Sequence, residues 1–146
     1  MEKELDEIVD NLFAVLPVIH KKLLNFLDSG ISQDISHYHF AILGMLSKAD
    51  ALPVSEIGRR LLISKSQMTA MIDKMADLDL VSRIPDQEDR RIIHIMLTAR
   101  GKETLSQAKA NIKKNVKTQL SQLEAGDIEI LSEALKNIYQ IGSKIQ

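Results

Sequence analysis

Between Ser64 and Leu97 the spacing of apolar residues switches from helical to alternating, and few folds accommodate that switch in so short a span. Ser64-Lys65-Ser66-Gln67 has the form of a capping box, in which Ser and Gln satisfy each other's orphan backbone donors. Behind it Met68, Met71, Ile72 and Met75 fall at i, i+3, i+4 and i+7, the spacing of one buried helix face. Leu80–Ile84 and Ile92–Leu97 are instead short β-rich runs, and in the second Ile93, Ile95 and Leu97 alternate with Ile92, His94 and Met96. The residues between them, Pro85-Asp86-Gln87-Glu88-Asp89-Arg90-Arg91, are polar and charged. Upstream, Pro53 is placed to open a short helix over about 53–61 with Ile57 and Leu61 inward. Two short helices around a tight turn, then a hairpin with a charged tip, form the pattern of a helix-turn-helix followed by a wing.

Long helices are expected on both sides of this unit. In residues 2–28, Leu5, Ile8, Leu12, Ile19, Leu23 and Leu27 recur at mostly three- and four-residue steps. Pro17 should kink or divide that helix, because proline lacks the N–H and crowds the preceding turn. Ser29-Gly30 reads as its stop. Ser36 is the expected N-cap of a second helix running to about Ala49 and burying Phe40, Leu43 and Leu46. After Thr98, another N-cap, a helix carries Leu105, Ala108, Ile112, Val116, Leu120 and Leu123; beyond Gly126 a last one carries Ile128, Leu131, Leu135, Ile138 and Ile145. These outer helices are too long and too apolar to be covered by a small winged helix. The same helices of a second copy would cover them, giving a two-fold homodimer with Leu5, Ile8, Leu12, Leu120, Leu131, Leu135 and Ile138 in its interface. The expected architecture is a single domain over residues 1–146, mainly α with a small β-hairpin wing. Within it a winged helix-turn-helix over 35–102 is flanked by N- and C-terminal dimerisation helices at 1–34 and 103–146.

Composition narrows the function by exclusion. There is no cysteine, so disulfides, thiolate metal sites and thiol redox sensing are out. No Gly-rich phosphate loop, metal-ligand spacing or Ser–His–Asp arrangement appears, so neither an enzyme nor a cofactor or metal is expected. His37 and His39 lie two apart on a helix and so face different ways. No apolar run approaches the ~18 residues of a membrane span, and the opening MEKELDEIVD lacks a signal peptide's basic start. A cytoplasmic protein without a membrane partner is the expectation. The net charge of −1 does not point to a polyanion. Its distribution is less neutral: residues 59–102 hold nine Lys/Arg against six Asp/Glu, and residues 1–28 hold three against six.

The run Asp89-Arg90-Arg91-Ile92-Ile93-His94-Ile95-Met96-Leu97-Thr98-Ala99-Arg100-Gly101 resembles the wing signature of the MarR family, Asp-x-Arg followed at fixed distance by Leu-Thr-x-x-Gly. Ile57 through Arg83 resembles that family's helix-turn-helix, including Ile63-Ser64-Lys65-Ser66 and Leu80-Val81-Ser82-Arg83. Ile35-Ser36-His37-Tyr38-His39-Phe40 looks like the start of its second helix. The likeness covers about residues 35–101, and the order of helices covers the whole chain. It implies a triangular homodimer with intertwined termini that binds short inverted repeats of double-stranded DNA. Such proteins commonly act as repressors relieved by phenolic or other small molecules. Leu62 and Asp79 depart from the pattern, standing where glycine is usual, and Gly58 replaces a common alanine.

With the Met68–Met75 stripe inward, the opposite helix face presents Lys65, Ser66, Thr69, Ala70 and Asp73. Ser66, Gln67 and Thr69 are then placed to reach base edges in a major groove. Gln67 suits bidentate pairing with adenine, and Thr69 or Ala70 suits a thymine methyl. Ser64, Lys65 and Lys74 are expected to hold phosphates. The resemblance makes Arg91 the minor-groove arginine, with Asp89 bracing it and Arg90 free for a phosphate. A small-molecule effector wedged between the long helices would change the spacing of the two heads. The rival reading is a winged helix used as a protein-interaction module without specific DNA binding. Such a module need not combine small polar residues at the head of its second helix with a wing arginine; this chain has both.

Overall fold

The structure is a computed structural model and describes residues 1–145. Among those residues the chain runs α1 (Glu2–Gly30), α2 (His37–Leu46), β1 (Leu52–Pro53), α3 (Val54–Leu61), α4 (Lys65–Asp77), β2 (Val81–Pro85), β3 (Ile93–Leu97), α5 (Ala99–Leu120) and α6 (Ala125–Gly142). The mainly helical architecture with a small wing is the one expected from the apolar spacing, with one addition. The sheet has three strands in the order β1-β3-β2, all antiparallel, where the sequence pattern gave a two-stranded hairpin. Leu52 and Pro53 pair with Ile95 and His94 on the outer side of β3. A two-residue strand ending in proline carries no alternation to read, and proline is tolerated there because an edge strand need not donate.

The core lies where α2, α3, α4 and the sheet meet. Ile42, Leu43, Leu46, Ile57, Met68, Ile72, Met75 and Ile95 have side chains almost wholly removed from solvent, with Leu105 of α5 closing one side. Leu43 and Leu46 of α2 are inside as expected, but Ile42 takes the place of Phe40; Phe40 is half-buried, as are Leu61 and Met71. Helix α2 ends at Leu46, three residues before Ala49. Its N-cap is Ser36, whose side chain accepts from the His39 amide while His39 Nδ1 accepts from the Ser36 amide.

Helix α1 continues through Pro17 without a break. The carbonyl that proline leaves without a donor belongs to Phe13, and both residues are exposed, so the unpaired carbonyl is open to solvent. Helix α1 does end at Gly30, and the missing side chain lets α5 come close there: a Cβ would collide with the side chain and backbone of Ile112. Helices α1 and α5 pack together along that contact.

Helices α3 and α4 both end in a Schellman motif. In α3 the Ile63 amide donates to the Gly58 carbonyl and the Leu62 amide to that of Arg59; in α4 the Leu80 amide donates to Met75 and the Asp79 amide to Ala76. The residue at the reversal is left-handed in both, with φ 55° at Leu62 and 57° at Asp79. Glycine would serve each position, which accounts for the two departures from the family pattern. Gly58 sits in a tight spot, where a Cβ would lie 3.0 Å from Met68 Cγ and that side chain would have to give.

Helix α6 buries none of its residues. Leu5, Ile8, Leu12, Leu131, Leu135 and Ile138 are all exposed and Leu120 is half-buried. No helix among the described residues is long and apolar enough to cross a membrane.

Candidate nucleic-acid interface

Helix α4 is built to expose one face. Ser64 caps it by accepting from the Gln67 amide, and Gln67 Oε1 accepts from the Ser64 amide and hydroxyl. With Met68, Ile72 and Met75 buried, Ser64, Lys65, Ser66, Gln67, Thr69, Ala70, Asp73 and Lys74 are left exposed. Two of these side chains are already engaged locally. The Thr69 hydroxyl donates to the Lys65 carbonyl at 3.0 Å, which leaves its methyl available to a partner. The Gln67 carbonyl oxygen is occupied by the capping box, so only its NH2 faces outward; two-point pairing with adenine requires the box to open.

The wing stands beside this face. A crevice of about 640 Å³ is lined by Lys65, Thr69 and Asp73 of α4, Arg83 of β2, Arg91 of the loop, and apolar atoms of Met68, Ile72 and Ile93. The exposed face of α4 and Arg91 of the wing loop therefore share one side of the molecule. Arg83 bridges the two, forming an ion pair with Asp73. At the tip, Asp89 Oδ1 accepts from the amide and Nε of Arg91, and Oδ2 from Nη2, each at 3.0 Å. These bonds from Arg91 hold the Asp89 carboxyl below the usual carboxylate range and raise the Arg91 guanidinium. Arg90 has no ion pair among the described residues.

On α3, Glu56 bridges Arg59 and Arg60, and their hydrogen bonds draw its carboxyl down to about 2. The sequence reading missed Arg83 and Asp73 as partners, because ten residues and a turn separate them. It also passed over Asp86 and His94, whose ring nitrogen lies 3.0 Å from the Asp86 carboxylate. No cluster of three or more metal-ligating side chains occurs among the described residues.

Two short helices meeting at a tight turn, a capped and exposed second helix, and a three-stranded sheet with an arginine-tipped loop define a winged helix-turn-helix protein. The sequence model of the MarR family matches residues 33–92, which span α2 to the end of the wing loop. Over that stretch the chain is similar to the MarR family. It is 29% identical over 99 residues to YpoP of Bacillus subtilis, an uncharacterised HTH-type transcriptional regulator, covering 68% of this chain and 70% of that one. The HTH-type transcriptional repressor MdtR of the same organism is 29% identical over 100 residues, covering 68% of this chain and 64% of its own. Among solved structures, the transcriptional regulator BldR of Sulfolobus solfataricus superposes with a TM-score of 0.70 at 26% identity, over 97% of this chain and 98% of that one.

Proposed function

We propose that this protein is a cytoplasmic, homodimeric transcription regulator, a repressor that binds an inverted-repeat operator and is released by a small-molecule effector. The observation that carries the reading is the shared crevice, which sets the exposed head of α4 and Arg91 of the wing on one side. Helix α4 enters the major groove. Thr69 and Ala70 approach thymine methyls, Ser66 and the Gln67 amide reach base edges, and Ser64, Lys65 and Lys74 hold phosphates. Arg91, braced by Asp89, enters the adjacent minor groove, where a narrow A·T-rich segment concentrates negative potential. Arg90 takes a phosphate. The exposed apolar faces of α1 and α6, with the end of α5, support a dimer formed through residues 1–34 and 103–146. That dimer places two heads on half-sites about 34 Å apart. An effector held between the long helices changes that spacing. MdtR is named a repressor, and similarity to it favours repression over activation.

The test is binding of the purified protein to its own upstream intergenic DNA, against a scrambled duplex, near physiological salt. Preference for the native sequence by about 10³-fold or more supports an operator-specific regulator. Equal binding to both, erased by salt, leaves only non-specific phosphate contacts. Absence of binding even at low salt replaces the reading with the protein-interaction module.

A further inference from the structure

Asp86 stands at the start of the wing loop and organises it. Its Oδ1 accepts from the amides of Glu88 at 2.9 Å and Asp89 at 3.0 Å, an Asx-type turn. Its own amide donates to the Ile92 carbonyl, and the Ile92 amide donates to that of Asp89, both at 2.9 Å. Its other oxygen, Oδ2, is held from outside the loop by His94 Nε2 at 3.0 Å. An ionised carboxylate only accepts, so Nε2 carries the proton. The amides of Asp89 and Glu88, together with His94, keep the Asp86 carboxyl below its ordinary value and therefore ionised.

His94 belongs to the sheet. It lies on β3 opposite Ile84 of β2 and Pro53 of β1, and its side chain is half-buried. The ladder therefore fixes the imidazole, and the imidazole fixes Asp86. One run of hydrogen bonds leads from the sheet to the exposed guanidinium: His94 to the Asp86 carboxylate, that carboxylate to the Asp89 amide, and the Asp89 side chain to Arg91. An aliphatic residue at this strand position would complete the strand equally well. It would remove the bond that holds Asp86 from outside the loop and leave the carboxylate anchored by the turn's own amides alone.

We propose that His94 is a positioning residue for the wing, holding Asp86 so that the Asp86–Asp89 turn aims Arg91. The inference rests on the reading of Arg91 as a DNA contact, and its test separates the two. Full-length His94→Leu and His94→Gln variants are compared with the parent by amide hydrogen exchange and by titration with the upstream duplex. In the Leu variant the Glu88 and Asp89 amides exchange about fivefold faster, the worth of one modest hydrogen bond. The Ile95 amide, inside the strand, does not change. Affinity for the duplex falls by about the same factor, and adding His94→Leu to Arg91→Ala costs nothing beyond Arg91→Ala alone. The Gln variant, whose side-chain NH2 donates to Asp86, restores both readouts. Unchanged exchange at Glu88 and Asp89 in the Leu variant overturns the proposal, as does failure of Gln to rescue. Faster exchange with unchanged affinity shows that the turn does not serve Arg91. Should Arg91→Ala alone leave affinity intact, the DNA role of Arg91 falls, while the exchange data still decide whether His94 holds the turn.

Discussion

Leu62 offers a direct measure of local strain, because its conformation and its surroundings point the same way. The residue is left-handed at φ 55° and ψ 39°, and 94% of its surface is exposed. A left-handed backbone costs an L-residue about 1–2 kcal/mol. Replacing it with glycine removes that cost and forfeits almost no burial, but raises the entropy of the unfolded chain by about 0.4–1 kcal/mol. The net expectation for Leu62→Gly is a gain of about 1 kcal/mol, or roughly 3–4 °C in Tm for a chain of this length. Urea denaturation at fixed protein concentration reads it as a higher midpoint with an unchanged slope. Leu62→Ala is the control, since it trims the side chain yet keeps a Cβ in the left-handed region, and it should gain nothing. Equal stabilisation by Ala and Gly would refute the strain argument and place the effect in the exposed side chain. A Gly variant no more stable than the parent would refute it outright.

Four other expectations test different parts of the molecule. Gly101→Ala drives a Cβ into the carbonyl of Leu80, so it should cost about 3 kcal/mol in the same urea assay. His39 is buried, and burial first, then the charge of Lys74, hold its imidazole below the ordinary histidine value. Its contribution to stability is therefore whole above about pH 6.5 and is lost as pH falls toward the lowered folded value; the parent's urea midpoint should drop more than that of His39→Gln between pH 7.5 and 5.5. Lys65→Ala should weaken binding to native and scrambled duplexes alike and reduce the salt slope by about 2 per dimer, one phosphate on each protomer. Gln67→Ala should relax preference at one base pair per half-site by less than the ~1–3 kcal/mol of a two-point contact, whereas an equal loss on every sequence would make Gln67 a backbone contact.

Much of the fold was legible because its signals are local. Ser36, Ser64 and Thr98 sit as N-caps where the sequence placed them, since capping depends on residues within one turn. The buried stripe of α4 followed from spacing alone. What escaped notice depends on contacts across the chain. β1 is too short to carry a period and forms only because β3 offers an open edge. The Arg83–Asp73 pair exists because β2 folds back along α4. Gly30 has to be a glycine because it meets Ile112, 82 positions away in a chain of 146. His39 was weighed only as a metal ligand, when its ring nitrogen serves the helix cap in the place a Glu or Gln usually holds. For the candidate interface, the sequence identified which side chains face outward on α4. It could not reveal that Gln67 and Thr69 spend part of their hydrogen-bonding capacity on their own helix.

Thr98 has a mechanical consequence. Its hydroxyl donates to the Asp79 carbonyl at the end of α4 and accepts from the Gly101 amide at the start of α5, while its own amide bonds the Leu80 carbonyl. Gly101, pressed against that same Leu80 carbonyl, leaves no room for slip. Helix α4 is thus tied to the root of α5, a 22-residue arm about 33 Å long. Tilting that arm by about 5° moves its far end by about 3 Å. In the proposed dimer, a displacement of that size at the crossing of the arms would turn the α4 heads against their half-sites without altering either head internally. In that proposed dimer the joint would act as a stiff elbow, and leverage would take the place of unfolding in carrying an effector's displacement to the heads.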